Sequence, residues 1–357
     1  MTRKKKPLRT GYTTGTCAAA AAQGAALKLL GRDEAELEVS LPGGEKARIA
    51  VHRAGQSGGS AFCEVVKDAG DDPDVTNGAL IRAVVRKIPF GIVIKGGEGV
   101  GMVTRPGLAV APGKPAINPV PERMIRSHVA EIMGSSGGAE VTICVADGAE
   151  LARKTLNPRL GIVGGISILG TTGLVIPYSH EAYQETITCA LDVLRAMGVD
   201  RVVFSTGRSS EKEAQRIFSE LPAAAFVLMA DYFSCAVHEA VRHGLRHIII
   251  AGYPGKLLKM AAGAGCTHYR NSAIDLAFLS ELALKAGLPE DRASALRAAH
   301  TARHALDFIP DEFRQPLFSM MAHCITRHIK NIAHETVAAE VLLLSYEGGV
   351  LFHEKND

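Results

Sequence analysis

The chain has 357 residues, 47% hydrophobic and 22% charged, with a formal net charge of +3 at pH 7. That length and composition suit about two soluble domains, each able to bury its own core. Aromatic residues make up 5%, tryptophan is absent, and Arg3-Lys4-Lys5-Lys6 is the one long basic run, which argues against a nucleic-acid partner. No apolar stretch reaches the roughly 20 residues of a bilayer-spanning helix, so no membrane role is expected.

The basic tail reads as a solvated end that could help draw in an anionic substrate. Seven scattered cysteines, an odd number without Cys-x-x-Cys, read as reduced thiols and a cytoplasmic location. The segment Gly11-Tyr12-Thr13-Thr14-Gly15-Thr16-Cys17 leads into an alanine-rich helix ending near Gly31. Thr14 or Thr16 can cap that helix, and its N-terminus suits an anion. A hairpin follows around Pro42-Gly43-Gly44, and a strand over 62–67 runs into the acidic loop Asp68 to Asp74, which reads first as a solvated turn.

Gly96-Gly97-Glu98-Gly99-Val100-Gly101 has G-x-G-x-G spacing and is followed by Val-Thr-Arg-Pro. It therefore fails the dinucleotide fingerprint, which needs G-x-G-x-x-G opening a helix. A cradle of backbone N–H groups for a phosphate or carboxylate remains open. The proline-rich run 112–121 is rigid and places Lys114 and Asn118, and Pro121 opens a helix. Asn157 to Ser179 alternates apolar runs with Gly164, Gly165, Gly170 and Gly173, and adds the hydroxyls of Thr171 and Thr172. A buried strand with a ligand-approach loop and a plain hydrophobic hairpin both fit it.

From about residue 181 the pattern alternates helix and strand, as in a mostly parallel sheet covered on both faces. Ligands of such sheets sit at the carboxyl ends of the strands, which selects the loops Thr206–Ser210 and Gly252–Lys256. The second is not a nucleotide-hydrolysing P-loop, since Leu257 follows Lys256. The histidines give no metal site: His238 and His243 stand five apart, and no acid completes the pair His300 and His304.

The expected fold class is thus two-domain: an α+β N-terminal domain, residues 1–147, followed by an α/β domain, residues 148–357, with a mostly parallel sheet.

Five segments in order, GYTTGTCAAAAA, DDPDVTNG, GGEGVGMVTRPGL with GKPAINPVP, NPRLGIVGGISILGTTGLVIPYS and GYPGKLLKMAAGAGCTH, resemble the CbiD family, the cobalt-precorrin-5B C1-methyltransferases of anaerobic cobalamin biosynthesis. The resemblance runs from residue 11 to about residue 268. It implies methyl transfer from S-adenosylmethionine to ring carbon C1 of a tetrapyrrole, giving cobalt-precorrin-6A, with cobalt only as part of the substrate. Thr13, Thr14, Thr16, Gly97, Gly99, Gly101, Arg105, Lys114, Asn118, Lys256 and His268 are the candidates to hold the carboxylate-bearing ring. Gly164, Gly165, Thr171, Thr172, Thr206 and Gly207 are the candidates for the methyl donor, placed on the second domain. Asp72, from the crowded acidic loop, is the candidate catalytic carboxylate, with Asp71 beside it. The partner is a small-molecule tetrapyrrole, and a homo-oligomer is compatible with the sequence. Two other classes fit the residues: a phosphotransferase-like enzyme using Gly96 to Gly101 for ATP, and a non-catalytic tetrapyrrole carrier.

Overall fold

The computed structural model describes residues 7–354; the basic tail at 3–6 lies outside the described residues. The chain divides into two compact units, Met1–Ser179 and His180–Asp357. The division therefore falls well beyond the expected 147/148. The reason is strand pairing: the segment after residue 160 adds its short strands to partners in the first unit.

The first unit opens with β1 (Gly11–Tyr12) and α1 (Thr14–Leu29). A hairpin follows, β2 (Glu36–Ser40) with β3 (Lys46–Ala50), then β4 (Arg53–Ser57), β5 (Ser60–Val66), β6 (Leu80–Ile88) and β7 (Ile92–Gly96). Short strands β8 (Gly99–Val100) and β9 (Met102–Val103) precede α2 (Pro119–Met133), which begins two residues before the expected Pro121, and β10 (Gly138–Val145). The main sheet has the order β4-β5-β6-β10-β7, antiparallel except for the β10–β7 pair. Its inward residues Cys63, Ile81, Ala83, Val85, Val141 and Ile143 are fully buried, as strand alternation dictates. They share one core with α1, whose Ala18 to Ala22 are also fully buried. Small side chains let this helix lie close to the sheet; a methyl group on Gly24 would come within 2.6 Å of Cys63 Sγ.

The last part of the unit is α3 (Gly148–Ala152), α4 (Asn157–Leu160), β11 (Ile162–Val163), β12 (Gly165–Ile166) and β13 (Leu174–Val175). These strands pair with β9, β8 and β1 respectively. The Gly-rich run from Asn157 is thus neither one buried strand nor a hairpin.

The second unit begins with α5 (His180–Ala196), β14 (Arg201–Ser205), α6 (Arg208–Ile217), β15 (Phe226–Leu228), α7 (Phe233–Arg242), β16 (His247–Gly252) and α8 (Pro254–Ala261). It continues with α9 (Leu276–Lys285), α10 (Glu290–Leu296), α11 (Ala302–Asp307), α12 (Asp311–Ile332), β17 (Ala338–Leu344) and β18 (Val350–Glu354). The sheet order is β15-β14-β16-β17-β18, parallel through β17 with an antiparallel edge at β18. Ile248 and Ile250 bury into one core, Ile249 and Ala251 into another on the opposite face. A strand covered on both faces reads as an unbroken apolar run, as Ile248 to Ala251 does.

Candidate functional site

Thr13, Thr14 and Thr16 are all buried, and each hydroxyl has a partner inside the first unit. Thr13 is the N-cap of α1, its Oγ1 accepting from the Thr16 N–H at 3.2 Å. Thr14 Oγ1 accepts from Leu169 N at 2.9 Å and faces the carbonyls of Ser167 and Leu169 at 3.1 and 3.3 Å. Thr16 Oγ1 donates to the Gly173 carbonyl at 2.7 Å. The Gly15 N–H donates to Leu169 O. The protein's own loop therefore fills the helix N-terminus that the sequence offered to an anion. These three threonines hold the 167–173 loop in place.

The Gly96–Gly101 cradle closes in the same way. Gly97 N donates to Ile143 O at 2.7 Å and Gly101 N to Ile166 O at 2.9 Å. The glycines permit close packing: a methyl on Gly99 would sit 1.9 Å from Val145 O, and methyls on Gly148 and Gly165 would each sit 2.2 Å from Gly99 O. Gly101 and Gly97 likewise abut Ile162 and Cys144. Gly164 differs, since its φ is +83° and a methyl there would meet nothing within 4 Å. Among the proposed donor hydroxyls, Thr172 Oγ1 is hydrogen-bonded within its own turn to Leu174, whereas Thr171 is exposed.

The acidic loop is held by partners of its own. Asp68 pairs with the Arg9 guanidinium, Asp71 Oδ2 accepts from the Arg9 N–H at 2.7 Å, and Asp74 pairs with buried Lys67 at 2.6 Å. Asp72 Oδ1 accepts from the N–H of Tyr178 at 3.0 Å, a residue with a φ of +57°. Arg105 Nη1 donates to Arg159 O at 2.9 Å. Lys114 is exposed, and Asn118 begins α2 without a side-chain cap. These two keep polar side chains available, while Arg105 is half-buried in a structural role.

In the second unit the chain goes from β14 to β15 on one side and then to β16 on the other. That reversal of strand order marks the place where doubly wound sheets bind ligands, at the carboxyl ends. Three loops meet there. Lys256 Nζ donates to Thr206 O at 3.1 Å and reaches Asp231 Oδ1 at 3.1 Å. Thr267 Oγ1 donates to the same carboxylate oxygen at 2.7 Å. Burial alone would raise the Asp231 pKa, but the Thr267 hydrogen bond and the Lys256 charge outweigh it and hold the carboxyl below its ordinary value. His268 lies half-buried beside this cluster, its ring tilted against Tyr269. Tyr253 stacks on Tyr346 at 5.0 Å, and Tyr232 on Tyr183 at 5.0 Å.

The structure thus joins Thr206, Gly207, Lys256 and His268 in the second unit. It separates them in the chain's division from Gly164, Gly165, Thr171 and Thr172, which the sequence had grouped with Thr206 and Gly207 on one domain. Asp231, Thr267 and Ser205 escaped the sequence reading. The rule that selected the loops after β14 and β16 applies equally to the loop after β15, and would have found Asp231. Among the described residues, no group of three or more His, Cys, Asp or Glu side chains could hold a metal ion. No helix among them is long and apolar enough to cross a membrane.

The family model CbiD matches residues 1–177, and the model CbiD, C-terminal domain matches residues 266–355. A Desulfotalea psychrophila protein named cobalt-precorrin-5B C(1)-methyltransferase is 42% identical, across 98% of this chain and 99% of that protein. Proteins of the same name from Geobacter metallireducens and Salinispora arenicola are each 43% identical across 97% of this chain, and across 99% and 93% of their own lengths. The chain belongs to the CbiD family. A crystal structure of the cobalamin biosynthesis protein cbiD from Archaeoglobus fulgidus is 34% identical, covering 72% of this chain and 81% of that one, with a TM-score of 0.41. In this CbiD chain the first family model ends at residue 177, beside the division between the two units at Ser179. The second family model takes in Thr267 and His268.

Proposed function

We propose that this CbiD chain transfers the methyl group of S-adenosylmethionine to ring carbon C1 of cobalt-precorrin-5B, giving cobalt-precorrin-6A in anaerobic cobalamin biosynthesis. The observation that carries this is kinship at 42–43% identity, over nearly the whole chain, with relatives named cobalt-precorrin-5B C(1)-methyltransferase. The cobalt belongs to the substrate.

The chemistry asks little of a protein beyond alignment. An electron pair from the ring attacks the sulfonium methyl in line, the C–S bond breaks, and a neutral thioether leaves. The positive charge passes to the ring and is discharged by loss of one proton. Holding donor and acceptor in line can contribute about 7–11 kcal/mol of barrier lowering.

The donor belongs at the β14–β16 crevice of the second unit, at Thr206 and Gly207. Two features support the fit. Among the described residues, Ser205 Oγ is fully buried without a hydrogen-bond partner, and a methyl on Gly207 would meet no atom within 4 Å. Lys114 and Asn118 remain the first unit's candidates for the carboxylate rim of the ring. Lys256 acts by shaping the crevice, because its ammonium already has protein acceptors.

Anaerobic incubation with cobalt-precorrin-5B and methyl-labelled S-adenosylmethionine, followed by mass analysis of the corrinoid, tests the reading. One labelled methyl at C1 is expected. A bound corrinoid that gains no methyl would instead identify a carrier and overturn the proposal.

A further inference from the structure

The loop after β15 holds a carboxylate in an unusual setting. Ala230, immediately before Asp231, has a φ of +49°, a region that costs a residue with a Cβ about 1–2 kcal/mol. Such strain persists where the surroundings over-determine a geometry. Asp231 Oδ1 is fixed from two sides, by Thr267 Oγ1 at 2.7 Å and Lys256 Nζ at 3.1 Å. Lys259 Nζ in turn holds the Thr267 carbonyl at 2.9 Å. Asp231 Oδ2 makes no hydrogen bond among the described residues, and the side chain is 22% exposed. One oxygen is therefore anchored and the other left able to accept.

Two independent features beside it point to a ligand. Ser205 Oγ, 0% exposed, lacks a hydrogen-bond partner among the described residues, although buried hydroxyls normally find one. Ser205 shares a strand face with Val203, which packs in the same core as Ala214 of α6, so it lies on the sheet face that α6 covers. Gly207, the N-cap of α6, has extended backbone that any residue adopts, with a φ of −173°. A methyl there would project into open space. Neither a positive φ nor protein packing calls for glycine at 207, and the absent side chain leaves room for a ligand to approach the backbone.

We propose that Asp231 accepts hydrogen bonds from the ribose hydroxyls of a nucleoside seated over Gly207, with Lys256 and Thr267 as positioning residues for its carboxylate. The arrangement follows from topology: an acid in the loop just after the strand next to the first βα turn stands where a ribose lies when the rest of the nucleotide-like ligand sits at that turn. A carboxylate accepts from both members of a vicinal diol, and an amide or a water does so less strongly. The proposal rests on S-adenosylmethionine being the donor.

The test is calorimetric binding of S-adenosylhomocysteine and of its 2′-deoxyribose analogue to the full chain. The wild type is expected to favour the ribose form by about tenfold or more, as for a hydrogen bond to a charged acceptor. In Asp231→Asn, with an unchanged circular dichroism spectrum, that preference is expected to shrink to about twofold or less. Equal affinity of the wild type for both ligands overturns the ribose contact without using any variant. A full preference retained in folded Asp231→Asn overturns it too. Failure of the wild type to bind either ligand overturns the donor reading itself, and the ribose contact falls with it.

Discussion

Lys256 Nζ stands 3.1 Å from Asp231 Oδ1 and 3.1 Å from the carbonyl oxygen of Thr206, so one ammonium ties together the carboxyl ends of β15, β14 and β16. Lys256→Met keeps the aliphatic stem and removes the charge. It is expected to destabilise the chain by about 1–3 kcal/mol, since it removes charge-assisted hydrogen bonds and leaves a partly buried carboxylate less paired. Urea unfolding measures this. The Asp231 carboxyl is depressed in the folded state, so its contribution is present above its unfolded value and is lost as pH falls through the folded one. That acid-side loss should shrink in Lys256→Met.

Thr14→Val replaces a buried hydroxyl by an isosteric methyl. It leaves the Leu169 N–H and the Ser167 carbonyl without the Thr14 hydroxyl, while the Leu169 carbonyl keeps the Gly15 N–H. A cost of about 1–3 kcal/mol is expected. Exposed Thr171→Val is expected to stay within about 0.5 kcal/mol of the parent. Equal unfolding midpoints for the two variants would show that Thr14 does not anchor the loop.

Gly99→Ala must place a methyl 1.9 Å from Val145 O at a φ of +75°, whereas Gly164→Ala meets open space at a φ of +83°. The second isolates the backbone cost, about 1–2 kcal/mol. The first adds a collision with main chain that no rotamer relieves, so it should exceed the second clearly and could abolish folding of the first unit. Thermal unfolding of the pair separates packing from conformation.

Glu140 pairs with Arg86 and Lys95 across three strands of the first sheet. The hydrogen bond from Arg86, followed by that from Lys95, holds its carboxyl at about 2. A carboxyl depressed on folding adds stability above its unfolded value, near 4.3, and loses it as pH falls toward 2. Glu140→Gln should therefore lower stability at neutral pH and flatten its fall between about pH 4.3 and 2. A stability curve unchanged by the substitution would exclude the three-strand pairing as a contributor.

Cys17 and Cys63 face the same core, and burial pushes their thiols up to about 12 and about 11. Only the thiolate reacts. At pH 8 both should resist a maleimide in the folded protein and label after denaturation. Peptide mass mapping reads this directly, and rapid native labelling of Cys17 would contradict the close seating of α1.

Local pattern determined much of this protein. Helix α1 was legible because an alanine run between a Thr-rich start and Gly31 has few other uses. The alternation from α5 to β16 was legible because a doubly covered strand must be continuously apolar. The five ordered motifs carried the family. Those signals arise within a few residues of chain, where periodicity and capping act.

Tertiary structure decided what those residues do. Thr13, Thr14 and Thr16 look like an anion site until the 167–173 loop arrives, some 150 positions later, to take the Thr14 and Thr16 hydroxyls and the Thr13 and Gly15 N–H groups. Gly99, Gly148 and Gly165 look like loop punctuation until three backbones meet where no Cβ fits. Asp231 and Lys256 acquire their meaning only when parallel pairing sets their strand ends side by side. Each of these depends on register between distant segments, which a sequence read in short windows does not specify.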